Sequence, residues 1–108
     1  MEDNFLEEIL DVADGEEILS VVIGTSSDRK KLIPNYDDIP KGVLLTFEEA
    51  KKWLNYEDNG GSWNSNFLPI YAWTENNVII VTMYDGSRNV DIVPRNPIEC
   101  NPYFYGGD

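Results

Sequence analysis

The stretch 68–94, LPIYAWTENNVIIVTMYDGSRNVDIVP, constrains the fold of this chain more than any other. It holds three runs rich in β-branched and aromatic residues, at 69–74, 78–84 and 87–93. Such residues suit a pleated, half-buried surface. Two short polar breaks separate the runs, Glu75-Asn76-Asn77 and Asp85-Gly86. Asp-Gly is a strong hairpin signal, because a type I′ turn needs positive φ at both central residues. The stretch therefore predicts a three-stranded antiparallel meander.

A two-residue turn at Asp85-Gly86 pairs Tyr84 with Ser87 and sets the register of the second hairpin. Ile79, Val81 and Met83 then share a face with Val90 and Ile92, with Arg88 ending the row. That nearly apolar face is the predicted core face. Ile80, Thr82 and Tyr84 share the other, mixed face with Asn89, Asp91 and Val93, as expected for an antiparallel sheet covered on one side. The first hairpin admits two registers. A two-residue turn at Asn76-Asn77 puts Ile70, Ala72 and Thr74 in the core and Tyr71 and Trp73 on the open face. A three-residue turn at Glu75-Asn76-Asn77 slips the strand by one and turns the aromatics inward, because the side-chain period is two. The first register builds an open platform of Tyr71, Trp73 and Tyr84, flanked by Asn89 and Asp91. That platform is the candidate binding surface.

The rest of the chain supplies what packs on this sheet. Residues 4–14 predict an amphipathic helix with Phe5, Leu6, Ile9, Leu10 and Ala13 on one face. With Asn4 as the cap, Glu7 suits a capping box, and Gly15 is a natural stop. Residues 17–23, EILSVVI, predict a strand buried on both faces or covered by a helix. A short strand at 43–45 leads into a second helix, 47–55. There Thr46 caps and Glu49 reaches back, Phe47, Ala50, Trp53 and Leu54 face inward, and Glu48 pairs with Lys52 outside. Segment 56–67 reads as a loop by composition. Its Trp63 joins the candidate binding residues, because loop aromatics bury large area at low entropic cost. The tail 99–108 carries Tyr103-Phe104-Tyr105 and is expected to be partly ordered, packed against the body beside the first helix. The predicted class is α+β in a single domain, 1–108: a C-terminal meander joined by one or two earlier strands, 17–23 and 43–45, and packed with two short helices.

Charge and missing residue types narrow the chemistry. The chain has 20 acidic residues against 8 basic ones, a net charge of −12. Phosphates would be repelled, which disfavours direct binding of nucleic acid or anionic membrane and suits a basic protein surface. Glu2, Asp3, Glu7, Glu8, Asp11 and Asp14 form the predicted acidic patch; none of the first seventeen residues is basic. Arg29-Lys30-Lys31 is the one basic cluster of the sequence. With no histidine, Ser-His-Asp and Cys-His catalysis are excluded, as are ordinary zinc sites. The single Cys100 gives no internal disulfide, and the chain has no histidine to act as its base. Gly24-Thr25-Ser26-Ser27-Asp28 lacks the glycine spacing and the Lys-Ser/Thr of a phosphate-cradling loop. Asp37-Asp38 and Asp58-Asn59-Gly60 lack the far ligands of a calcium loop. No metal or cofactor is expected. No apolar run approaches 18 residues, so the expectation is a cytoplasmic protein with no membrane partner.

These features predict a small acidic protein-binding module without catalysis. Its sharper form is an inhibitor that mimics nucleic acid, of the kind phages encode. Two alternatives stay open: a hydrolase using paired carboxylates around Asp91, and a homodimer assembling through a sheet edge.

Overall fold

The computed structural model describes residues 3–26, 33–58, 68–84 and 87–105. In chain order the elements are β1 (Asp3–Asn4), α1 (Phe5–Ala13), β2 (Ser20–Ile23), a 3₁₀ turn (Tyr36–Asp38), β3 (Leu44–Thr46), α2 (Phe47–Leu54), β4 (Glu57–Asp58), β5 (Ile70–Trp73), β6 (Asn77–Tyr84) and β7 (Ser87–Pro94). Five strands form one sheet in the order β3-β2-β5-β6-β7, with every neighbouring pair antiparallel. The meander β5-β6-β7 is therefore real, and both earlier strands extend it on the β5 side.

Among the described residues, both helices lie on one side of the sheet. Helix α1 packs on β6 and β7, and α2 on β2 and β3. The core between the layers takes alternate residues from each strand: Val21 and Ile23, Leu45, Ile70 and Ala72, Ile79, and Val90. Phe5, Ile9 and Ala13 face them from α1, and Ala50 and Leu54 from α2. Ile33 and Ile39 close the core from the segment between β2 and β3.

Both helix starts follow local chemistry. The Asn4 side chain accepts the Glu7 N–H at 3.0 Å. Thr46 Oγ1 accepts the Glu49 N–H at 3.1 Å, and Glu49 accepts the Thr46 N–H at 2.9 Å, completing the capping box. A small ladder not anticipated from sequence ties these regions together. Asp3 pairs with Asp58 and Asn4 with Glu57, and the Asn4 side-chain amide donates to Asn55 Oδ1 at 3.0 Å.

Several expectations need correction. Leu10 is exposed, because α1 presents the stripe Phe5, Ile9 and Ala13 and Leu10 lies about 140° round the helix from Phe5. The left-handed stop falls first on Asp14, at φ 52°, with Gly15 next at φ 89°. Helix α2 ends at Leu54, and Glu48 pairs with Lys51 at 3.0 Å rather than with Lys52, which lies 4.9 Å from the Trp53 ring. Strand β2 begins at Ser20, three residues later than expected. Tyr56 is buried against Phe5, ring centroids 5.6 Å apart, and Glu57–Asp58 is paired, so the loop expected over 56–67 does not include its first three residues, and residues 59–67 lie outside the described residues.

On the core face of the second hairpin, Met83 is exposed while Arg88 is buried. The two are paired across the ladder. Arg88 folds over the Phe5 ring, 5.0 Å from its centroid, and reaches Glu8 at 2.6 Å, taking the covered space that an apolar residue was expected to fill. The register Tyr84 with Ser87 is as expected, while Asp85-Gly86 lie outside the described residues.

The first hairpin pairs Tyr71 with Ile80, Ala72 with Ile79 and Trp73 with Val78. The Thr74 N–H donates to Asn77 O at 2.9 Å, so the turn is Glu75-Asn76, and neither expected turn position is correct. The register nevertheless differs from the Asn76-Asn77 alternative by two residues, which preserves the faces. Ile70, Ala72 and Thr74 are buried, and Tyr71 points to the open side.

Candidate functional site

The helix-free side of the sheet carries the residues singled out from sequence. Its two best-defined rows follow from the register. One runs Leu44, Val22, Tyr71, Ile80, Asp91; the other runs Thr46, Ser20, Trp73, Val78, Val93. Tyr71 is 58% exposed and Leu44 67% exposed, values that mark a face with surface left to bury. Trp73 is half-buried and meets Tyr71 edge-on, with ring centroids 6.1 Å apart and planes at 71°. That contact fixes the orientation of both rings beyond what backbone placement alone gives.

Asp91 stands one strand beyond Ile80 from Tyr71, and its carboxylate accepts the Thr82 hydroxyl at 2.6 Å. Asn89 is exposed opposite Thr82. Tyr71, Trp73, Asn89 and Asp91 are thus brought onto one face. Tyr84 shares their strand parity, with its side chain outside the described set, and Trp63 lies outside the described residues. Sequence reasoning missed Leu44, Val22 and exposed Leu19. For Val22 and Leu19 the signal was present in the near-continuous apolar run at 17–23, which reads as a doubly buried strand although neither helix covers its second face; Leu44 lies in the separate short strand expected at 43–45.

The tail closes the β7 side of this face. The Tyr105 hydroxyl donates to Ile92 O at 3.0 Å, and its ring meets Tyr103 at 4.4 Å between centroids. Burial is the main reason the Tyr105 phenol is pushed up to about 12, helped by its hydrogen bond with Tyr103 and by the charges of Tyr103, Asp91 and Cys100. The tail therefore lies beside β7 rather than beside α1. Phe104 is 91% exposed, so one of the three aromatics does not pack.

At the end of β5 and β6 nearest Pro94, Glu16 holds the first hairpin turn. Its carboxylate accepts from Thr74 Oγ1 at 2.6 Å, Asn76 Nδ2 at 2.8 Å and Asn77 Nδ2 at 2.8 Å. These bonds, from Thr74 first, hold its pKa below the ordinary carboxylate value. Nothing local in the sequence pointed to this role.

The predicted acidic patch is partly dismantled. Glu8 is taken by Arg88. Glu7, Asp11 and Asp14 remain exposed along α1, a helix with no basic residue in its last turn. Glu2 and the side chain of Asp3 lie outside the described set, as do Arg29-Lys30-Lys31 and Asn59-Gly60. Asp37 and Asp38 sit exposed in the 3₁₀ turn. Among the described residues, no group of three His, Cys, Asp or Glu side chains is placed to hold a metal ion. No helix among them is long and apolar enough to cross a membrane.

No protein-family model matches the chain, and no curated protein or solved structure matches it.

Proposed function

We propose that this chain is a small acidic protein-binding module that acts without catalysis, and that its partner seats on the open sheet face. The observation that carries this reading is the apolar row Leu44-Val22-Tyr71-Ile80, with the Tyr71–Trp73 pair standing on a side of the sheet opposite both helices. A contiguous apolar face with rigid aromatics is the usual chemistry of a protein contact. The net charge of −12 supports a basic partner and opposes a second copy of the same chain. The exposed free thiol of Cys100 suits a reducing compartment such as the cytoplasm.

A second reading, nucleic-acid mimicry, is favoured by one observation. Glu7, Asp11 and Asp14 form an exposed ridge on α1, with about 6 Å and 4.5 Å of helix rise between successive members. Affinity capture from the native host, read by mass spectrometry, separates the two. The wild-type chain is compared with Tyr71→Asp and with the triple variant Glu7→Gln, Asp11→Asn, Asp14→Asn. Loss of one specific partner with Tyr71→Asp alone is the expected result. Retention by Tyr71→Asp together with loss by the triple variant, on a basic nucleic-acid enzyme, would replace the open-face reading with mimicry.

A further inference from the structure

We propose that the element received by the open face is an amphipathic helix of the partner, with two large apolar side chains seven residues apart and a Lys or Arg beyond one of them. This rests on the open-face reading above and specifies what binds there.

Two depressions flank the Tyr71–Trp73 pair. One, of about 280 Å³, lies between Val22 and Gly24 on the β2 side and Pro69 to Tyr71 on the β5 side, and reaches Val81 on β6. The other, of about 240 Å³, is walled by Leu19, Leu44, Trp73 and Arg95. The midpoints of their linings along β2 and β5 stand about three residues of strand apart, or ~10 Å at ~3.3 Å per residue. On a helix, residues i and i+7 share a face and stand ~10.5 Å apart. A helix aligned with the strands therefore drops one side chain into each depression and rests its middle turn on Tyr71.

An extended peptide covers the same distance in fewer residues, but its backbone would go unsatisfied. Strands β2 and β5 are interior strands, each paired on both sides, so they offer no free ladder to an added strand. A helix satisfies its own backbone and needs only side-chain contacts from the face.

Charge sets the polarity. The depression beside Trp73 shares Leu19 with a third hollow lined by Glu16, Glu17 and Glu75. Glu16 is engaged by the turn, whereas Glu17 and Glu75 are exposed there. The Arg95 guanidinium donates to Thr74 O at 2.7 Å and walls the anchor's depression. A cation on the partner is thus complementary one turn past that anchor, over Glu17 and Glu75.

The test is a display library of helical peptides about 18 residues, ~27 Å, long. Apolar spacing and flanking charge are randomised, and the full chain is the target. Enriched peptides are synthesised and their affinities compared on wild type, Tyr71→Asp, Leu44→Asp and the pair Glu17→Gln, Glu75→Gln. Circular dichroism of each variant confirms its fold, and Tyr71→Ser replaces Tyr71→Asp if the latter unfolds. The expected result is enrichment of two large apolar residues seven apart with a Lys or Arg beyond. Bound peptides are helical, and affinity falls by about tenfold or more on the Tyr71 and Leu44 substitutions. It also falls on the Glu17, Glu75 pair, in a salt-dependent way. Enrichment of extended or otherwise spaced peptides that remain sensitive to Tyr71 would overturn the helix while leaving the open-face reading intact. No enrichment, or a second copy of the chain occupying the face in sedimentation, would also overturn it. Binders indifferent to Tyr71 would overturn both.

Discussion

Two charged side chains do structural work that their residue types do not announce. Glu16 gathers three donors from the first hairpin turn. Its carboxylate has a lowered pKa in the folded chain, so its contribution is present above the ordinary value of 4.5 and is lost as pH falls through the folded value. We predict that Glu16→Gln lowers the denaturation midpoint and speeds amide exchange at Asn77. The gap from wild type should be widest above pH 4.5 and should close on acidification; a gap independent of pH would refute the assignment. Arg88 is the second case. Its side chain is 0% exposed, pressed on Phe5 and bonded to Glu8, whose side chain is 34% exposed. A double-mutant cycle of Glu8→Ala with Arg88→Met should give a coupling of about 1–2 kcal/mol, measured by chemical denaturation. The partial exposure of Glu8 keeps the figure below that of a fully buried pair.

At the scale of elements, the difference between legible and illegible structure is the range of the interaction that decides it. Both helices could be read because their caps are local: Asn4 with Glu7, and Thr46 with Glu49, lie three residues apart. The first hairpin turn could not be placed. Asn76 and Asn77 are equally good turn residues by type, yet Asn77 enters the ladder and Glu75-Asn76 makes the turn. The choice is pinned by Glu16, some sixty residues away, and by Arg95, whose N–H donates to Asn76 O at 2.9 Å. The tail is the other element set at long range. Tyr105 covers an outward carbonyl of β7, an edge strand otherwise open to pairing with another chain. A phenol raised from 10 to about 12 favours the folded state below pH 10, and that contribution is lost as pH rises through 12. We expect an alkaline step in which the tail detaches, seen as protease cleavage near Phe104. Tyr105→Phe should lack that step and show a weaker attachment than wild type below it.

For the whole molecule, the governing fact is an asymmetric sheet: one face buried by two helices, the other apolar in part and uncovered by either. Period-two alternation placed Asn89 and Asp91 on one face, but Tyr71 and Trp73 joined them in only one of the two turn lengths the sequence allowed. It was not enough to add Leu44 and Val22. They reach Tyr71 only through the order β3-β2-β5, which pairs segments tens of residues apart. The two faces make opposite demands on mutation, and neighbouring positions on the strands show this most directly. Ile79 is 0% exposed, between Ala72 and Ile92, beneath α1. Ile79→Ala should cost about 2–5 kcal/mol, because it removes buried apolar surface and leaves a cavity. Tyr71→Ala, one row away on the open face, should cost less than about 1 kcal/mol of stability, as surface substitutions do. Its effect should fall on the partner instead, weakening capture by about tenfold or more. Denaturation and binding measured on the same two variants resolve the roles. If Tyr71→Ala destabilised the chain as much as Ile79→Ala, the open face would be a second core, and the residues above it would be structural.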